Sequence, residues 1–201
     1  MGDITNRVLT QRRLTNPRGE NPLKMEFFEH WGEYWKKGIN ELSFEKAKHF
    51  HEKEKPYVAV LSDEKPRFIV NVHFNYKGFF CRVDYLNNDL EKVKSESYML
   101  INGQLFLKSS KKWYYDEREM RNGKEVGLVT YVYETDGRYR KNYFSTEGRA
   151  FDEEYGTCDV SSHFREMIQF GNYDSILPEE ARRGLREEKE GNPKPDTQSD
   201  T

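Results

Sequence analysis

The sequence predicts an α+β protein: an antiparallel β-meander of about six to eight strands, preceded by two N-terminal helices and followed by one C-terminal helix. Apolar residues recur at helical spacing before residue 57 and after residue 159, whereas between these limits they alternate with a period of two. Asn-Gly and Asp-Gly dipeptides, which favour tight hairpin turns, separate the alternating segments. Strands grouped apart from helices in this way are typical of an α+β domain with an antiparallel sheet.

Two N-terminal helices are predicted from capping residues and from the spacing of aromatic side chains. The first begins at Asn21, a capping residue, has Pro22 at its first helical position and ends at Gly38. Its apolar stripe comprises Phe27, Phe28, Trp31, Tyr34 and Trp35. The second spans residues 43–55 and ends before Pro56. Its inward side chains are Phe44, Ala47 and Phe50.

The meander begins with a hairpin whose register follows from the alternation. Residues 68–75 and 78–85 both alternate between apolar and polar side chains, with Tyr76-Lys77 between them as a two-residue loop. That loop pairs Val72 with Cys81 and directs the apolar side chains of both strands to one face. The predicted inward set is Phe68, Val70, Val72, Phe74, Phe79, Cys81, Val83 and Tyr85, covered by the first helix.

Further turns are predicted along the rest of the meander. They lie at Asn87-Asn88-Asp89, Asn102-Gly103, Asn122-Gly123 and Asp136-Gly137. The last of them is predicted to pair Tyr133 with Arg140 and Tyr131 with Asn142, which would bring a guanidinium against a tyrosine ring.

The closing helix is predicted over residues 160–170. Asp159 or Ser161 can cap it, and Gly171 ends it. Its inward stripe is Val160, Phe164, Met167 and Ile168.

The two ends of the chain lack the pattern of a folded domain. Residues 1–20 are polar and aperiodic, so we expect a flexible arm, with Met25 as an alternative start. Residues 178–201 have almost no apolar side chains, so burial cannot offset the entropy of ordering and we expect a disordered, charged tail. Residues 21–177 are therefore predicted to form a single domain.

Composition argues against several classes of function. The longest apolar run, residues 57–61, is far shorter than the ~20 residues of a membrane span, and no secretory signal pattern is present. Two cysteines without a CxxC pair suit a reducing compartment, and His49 and His51 point about 200° apart on a helix, so neither feature predicts a metal site. The pI of ≈ 6.3 and scattered basic residues argue against nucleic acid. We expect a cytoplasmic protein that binds no membrane, nucleic acid, metal or cofactor.

No pattern predicts a catalytic centre. His73 and Asp84 share the polar face of the first hairpin, but the register separates them by two rungs. Cys158 and His163 lie beside the predicted closing helix without a nucleophile elbow or oxyanion motif, so a buried thiol and a surface histidine are the favoured interpretation. The chain is therefore predicted to be a binding protein and not an enzyme.

The most distinctive candidate surface is an acidic stretch between the last predicted strand and the closing helix. Residues 147–201 carry 14 acidic and 7 basic side chains. The stretch comprises Glu147, Asp152, Glu153, Glu154 and Asp159. One interpretation is a solvated loop. The other is a docking patch for a basic partner, since complementary charge accelerates encounter and selects the partner.

Residues 114–155 resemble the hairpin repeats of bacterial toxin-neutralising immunity proteins, with related MORN-like and YD-type patterns. In such repeats, aromatic strands alternate with NG, DG or EG turns that are followed by a basic residue. The corresponding turns here are residues 122–124, 136–138 and 147–149. The resemblance implies a non-catalytic protein that blocks the active site of a toxin.

The expected function is therefore that of an immunity or antitoxin-type protein that neutralises a cognate protein toxin by steric occlusion. Aromatic and basic anchors, Tyr131, Tyr133 and Arg140, are expected to supply affinity, while the acidic stretch orients the partner. The alternatives are a small-molecule-binding or structural module, and an enzyme whose site lies on the polar face of the sheet.

Overall fold

The computed structural model describes residues 13–14, 23–62, 64–75, 78–115, 119–179 and 181. Within these ranges the chain forms one antiparallel sheet of 13 strands and one α-helix with described bounds, and Glu179 and Ala181 are also helical. None of the helical residues in this part of the chain forms a segment long and apolar enough to cross a membrane. The α+β prediction with three helices is therefore wrong, whereas the antiparallel meander is confirmed.

The strands follow one another almost in chain order. Their bounds are β1 Arg13–Leu14, β2 Leu23–Gly32, β3 Lys37–Leu42, β4 Tyr57–Ser62, β5 Pro66–Asn75, β6 Gly78–Leu86, β7 Lys92–Ile101, β8 Gln104–Trp113, β9 Glu119–Arg121, β10 Lys124–Tyr133, β11 Arg138–Ser145, β12 Ala150–Thr157 and β13 Phe164–Arg165, and the helix α1 is Phe44–Glu52. The sheet order is β1-β2-β4-β5-β6-β7-β8-β10-β11-β12, with β3 beside β2, β9 beside β10 and β13 beside β8. Every named strand pair is antiparallel.

The first predicted helix is a β-hairpin, β2–β3. Phe27 pairs with Leu42 on one side and with Ala59 on the other, so β2 is hydrogen-bonded along both edges. Leu23 and Phe27 are buried, and Leu23, Met25 and Phe27 also fit a period of two. Apolar residues four positions apart fit both a helix and a strand. Pairing with β4 favours the strand. Tyr34 and Trp35, predicted to face inward, lie at the hairpin turn and are 89% and 62% exposed.

The predicted closing helix over residues 160–170 is also wrong. A single 3₁₀ turn, Ser161–His163, leads directly into β13, which pairs with β8. Asp159 accepts hydrogen bonds from the backbone N–H and the hydroxyl of Ser161. Phe164 pairs with Phe106 as a strand residue, and the centroids of the two rings lie 4.9 Å apart.

The second predicted helix is confirmed as α1. The Ser43 side chain accepts a hydrogen bond from the Lys46 backbone N–H at 3.2 Å and caps the helix. Ala47 is fully buried and Phe50 packs against the core. Phe44 is 43% exposed, although its ring meets that of Phe170 at 5.0 Å.

The predicted hairpin register is confirmed by β5 and β6. Phe74 pairs with Phe79, Val72 with Cys81 and Val70 with Val83. The predicted loop, residues 76–77, lies outside the described residues. The predicted number of six to eight strands is too low, in part because β1, the β2–β3 hairpin and β13 were not expected.

The two faces of the sheet differ in what they bury. We call the face with Val70, Cys81 and Tyr98 the core face, and the face with Asn71, Arg82 and Ser97 the open face. The core face is covered by α1 and by side chains of residues 167–177 and Ala181. Its buried members are Leu23, Phe27, Leu42, Ala47, Tyr57, Ala59, Leu61, Val70, Val72, Phe79, Cys81, Val83, Tyr98, Leu105, Leu107, Ile168, Tyr173, Ile176, Leu177 and Ala181. On the open face, a smaller cluster comprises Val58, Val60, Ile69 and Leu86.

Three side chains, those of His51, Tyr57 and Tyr173, form a row of polar contacts in the core next to α1. His51 Nδ1 lies 3.0 Å from the Tyr57 hydroxyl, which lies 3.1 Å from the hydroxyl of Tyr173. These contacts tie the helix, β4 and the C-terminal segment together. Burial lowers the pKa of His51.

The predicted arm and tail lie largely outside the described residues. Within them, Arg13 and Leu14 pair with Lys24 and Leu23, and Ala181 is 4% exposed in the core.

Candidate anion-binding pocket

The open face carries a polar pocket across β6, β7 and β8. Register places Arg82, Ser97 and Ser109 side by side in one row across the three strands. The next row holds Asp84, Ser95 and Lys111. Serines at the centre of these rows are shorter than the side chains around them, so the middle of the face forms a depression.

The pocket has a volume of ≈ 340 Å³. Four cations and one carboxylate line it: Arg82, Lys92, Lys108, Lys111 and Asp84. The remaining lining residues are Ser95, Ser97, Ser109, Phe80 and Trp113. Two aromatic side chains therefore flank a basic, hydroxyl-bearing floor.

Asp84 organises one side of this pocket from below. Its side chain is 1% exposed. Ser95 Oγ donates to Oδ1 at 2.7 Å, and Asn71 Nδ2 donates to Oδ2 at 3.3 Å. Arg82 Nε and Nη2 each lie 3.1 Å from Oδ2. Lys92 Nζ lies 3.2 Å from the same oxygen. A buried carboxylate requires such partners, and it holds both cations in place in return.

The four cations differ in how far they are neutralised. Lys92 also pairs with Glu33 of the β2–β3 hairpin. Lys108 pairs with Glu134 at 2.7 Å and donates to the Tyr133 carbonyl at 2.9 Å. Lys111 is exposed and has no ion-pair partner among the described residues. The positive charge of Lys111 is therefore available to a bound anion.

The charged side chains that line the pocket provide many more hydrogen-bond donors than acceptors. Arg82 carries five N–H donors and a lysine three, and only part of this capacity faces Asp84. The oxygens of Asp84 are already contacted by four side chains. The pocket therefore offers donors and positive charge, which is the chemistry that binds an oxyanion.

The residues of the predicted acidic docking stretch do not lie together in one loop. Glu147 lies in the β11–β12 turn, 3.8 Å from Arg149. Asp152, Glu153 and Glu154 lie in β12 and not in a loop, so they alternate between the two faces. Asp159 accepts from Ser161, which lowers the pKa of Asp159.

Two of these acids are already paired within the protein. Arg121 contacts Asp152, and its Nη2 lies 3.2 Å from Glu154. Its guanidinium carbon also lies 3.9 Å from the centre of the Tyr143 ring. Hydrogen bonding from Arg121 lowers the pKa of Asp152, and a 2.7 Å hydrogen bond from Tyr143 lowers that of Glu154. Glu153, which faces away from Arg121, remains exposed.

The predicted anchors Tyr131, Tyr133 and Arg140 do not share a surface. Tyr133 pairs with Tyr139 and Val132 pairs with Arg140, so the predicted register of this hairpin is wrong by one residue. A shift by one residue reverses the face of every side chain. Tyr131 and Tyr133 stack on the core face at 5.8 Å, and Lys141, not Arg140, lies 5.2 Å from the Tyr131 ring.

The histidines and cysteines considered for chemistry do not converge on a site. His73 pairs with Phe80 and Asp84 with Ile69, which keeps His73 and Asp84 two rungs apart. Cys158 is exposed, contrary to the buried thiol that we expected. In the part of the chain that the structure describes, no three His, Cys, Asp or Glu side chains are grouped as metal ligands.

Sequence reasoning missed the pocket, although β8 carries a signal for it. The segment Lys108-Ser109-Ser110-Lys111-Lys112 interrupts the apolar alternation of a strand with small and basic residues. Such a strand cannot contribute to an apolar core over this stretch. Its neighbours across the sheet, Ser95 and Ser97, repeat the same composition on β7.

Comparison with protein-family models, curated proteins and solved structures gave no match.

Proposed function

We propose that the protein is a non-catalytic binding protein whose open-face pocket holds the anionic group of its ligand. The observation that carries this proposal is that the exposed Lys111 lines the same pocket as Arg82 and Lys92, which Asp84 holds in position. Preorganised cations lose little conformational freedom on binding, so they contribute more to affinity than flexible ones.

Binding is favoured over catalysis because the pocket offers no available base or activated nucleophile. A general base needs a lone pair that can reach a substrate proton. Asp84, the one carboxylate among the described residues that line the pocket, is 1% exposed and surrounded by donors. Ser95 donates its hydroxyl hydrogen to this carboxylate, but no further side chain completes a relay around Ser95 in the described residues.

The test is a titration of ¹⁵N-labelled protein with small anions (citrate, sulfate and inorganic phosphate) at low salt, followed by backbone NMR. Saturable shifts should concentrate at residues 82–84, 95–97 and 108–113. Lys111→Gln should weaken binding, while Lys112→Gln is the matched control. Lys112 is the next residue on β8, points to the core face and lies 4.5 Å from the centre of the Tyr114 ring. Shifts spread evenly over all lysines, or equal weakening by both variants, would contradict the proposal.

A second candidate function is the toxin-neutralising one, and the outer edge of the sheet favours it. β12 is the last strand in the order, and on it Glu153 is exposed and Tyr155 is 68% exposed. An edge strand with exposed aromatic and acidic side chains suits docking of a protein partner.

The experiment for this candidate is co-expression with the products of neighbouring genes, followed by association kinetics. Glu153→Lys tests the acidic edge without removing an Arg121 partner, as substitution of Asp152 or Glu154 would. A slower association at low salt supports this candidate, because rim charges act mainly on encounter rate. The absence of any complex with neighbouring products counts against it.

A further inference from the structure

We infer that the ligand of this pocket is a small phosphate monoester attached to a flat ring, of the kind found in nucleoside monophosphates. This inference rests on the proposed function and narrows the ligand from any anion to one chemical class. Three features of the open face support it: the arrangement of donors, the aromatic side chains at the rim and the volume.

The donors suit a group with several oxygens around one centre. Ser97 and Ser109 are directly opposite each other across β7 and β8, and Arg82 pairs with Ser97 on the other side. Directly opposed residues have Cβ atoms about 4.5–5.5 Å apart, so both hydroxyls can reach one group between them. Lys111 enters from the next row. A phosphate presents three terminal oxygens to such donors, whereas a carboxylate presents two.

The aromatic residues provide a surface for a ring beside that group. Trp113 follows Lys111 by two positions on β8 and shares its face, so the two are roughly 7 Å apart along the strand. Phe80 lines the pocket on β6. Stacking on an aromatic side chain tolerates any flat ring and adds affinity beyond the charge contacts.

The volume favours a small molecule over a polymer. Pockets for small ligands span about 300–1,000 Å³, and this one, at ≈ 340 Å³, lies at the lower end. The four cations that line the pocket come from three adjacent strands, so they surround a ligand of limited size.

Isothermal titration calorimetry with four probes tests the inference: adenosine monophosphate, phenyl phosphate, inorganic phosphate and benzoate. Both ring phosphates should bind more tightly than inorganic phosphate, and benzoate should bind most weakly. Equal affinity for benzoate and phenyl phosphate would overturn the choice of phosphate.

Two variants separate the ring contact from the charge contact. Trp113→Leu should weaken adenosine monophosphate at least about fivefold, the lower end of the loss of one base–aromatic stack, and leave inorganic phosphate unchanged. Lys111→Gln should weaken both. Trp35→Leu, at an exposed site that does not line the pocket, is the matched control.

The outcomes distinguish this inference from the proposed function. If citrate or sulfate bind in the pocket and the ring phosphates show no advantage, the phosphate-ester inference fails and the anion-binding function stands. If Trp113→Leu has no more effect than Trp35→Leu, the ring contact is wrong. If no probe binds and Lys111→Gln changes nothing, both proposals fail.

Discussion

Replacement of Asp84 by asparagine tests the most tightly organised part of the open face. The substitution keeps the shape of the side chain and an acceptor for Ser95, but it removes the charge that faces Arg82 and Lys92. The new amide group would point hydrogens toward two cations. Asparagine therefore cannot satisfy the contacts at 3.1 and 3.2 Å that the carboxylate makes.

The expected cost is about 3 kcal/mol of unfolding free energy. Breaking a buried ion pair by removing one partner costs about 3–5 kcal/mol. The lower end applies here, because the Arg82 and Lys92 side chains are 36% and 20% exposed and can turn toward water. Since 1 kcal/mol shifts the midpoint of a domain of this size by about 2–4 °C, the midpoint should fall by roughly 6–12 °C.

Urea and thermal unfolding, monitored by circular dichroism, measure this loss. Asp89→Asn is the matched control, since Asp89 lies in the exposed loop between β6 and β7. Its hydrogen bonds to other described residues, Asn87 and Lys36, are made by its backbone and not by its carboxylate. Surface substitutions of this kind stay within about 0.5 kcal/mol. If Asp84→Asn is as stable as Asp89→Asn, the carboxylate does not hold the two cations and the account of the pocket is wrong.

The same variant separates two roles of Asp84 in binding. Loss of the carboxylate makes the pocket more positive, so affinity for inorganic phosphate should rise if charge alone governs binding. It should fall if Asp84 acts by holding Arg82 and Lys92 in position, which is the result we expect.

Three further perturbations follow from the structure. Val72→Asp places an unpaired charge at a fully buried site and should cost several kcal/mol, enough to unfold a domain of ordinary stability; native-like, folded Val72→Asp protein would contradict the register. Burial lowers the pKa of His51, so the unfolded chain binds more protons than the folded chain once the pH falls below 6.5. The stability that His51 contributes above pH 6.5 is therefore lost as the pH falls through the lowered pKa of the folded state. His51→Gln, which also changes the contact with Tyr57, should make the free energy of unfolding in urea less dependent on pH. Arg121→Gln should raise the pKa of Asp152 toward its ordinary value, measured by NMR titration, and an unchanged value would argue against the contact.

The local sequence pattern predicted the structure correctly where only one arrangement of the chain was compatible with that pattern. Alternation over residues 68–85, with a two-residue loop between the strands, leaves one register that puts all apolar side chains on the core face, and β5 and β6 adopt it. Ser43 and Pro56 likewise delimit α1, because capping and the loss of a backbone donor act within a few residues.

Pairing across the sheet decided the segments where two periods fitted equally well. The aromatic residues of β2 match both a helix and a strand, and pairing with β3 and with β4, the latter about thirty residues along the chain, favours the strand. The 160–170 segment was predicted to be a helix because its apolar spacing suits one, but Phe164 pairs and packs on β8 instead. Such long-range contacts are not encoded in any short window.

The candidate pocket depends on tertiary structure for the same reason. Residues of β6, β7 and β8 that line it span positions 80–113, and the sequence by itself determined only that they alternate in polarity. A register shift between Ser97 and Tyr98 decides which side chains of β7 and β8 meet. Side-chain direction is a local property of a strand, whereas the neighbours of a side chain are set by pairing, and pairing alone brings Arg82, Ser97, Ser109 and Lys111 around one cavity.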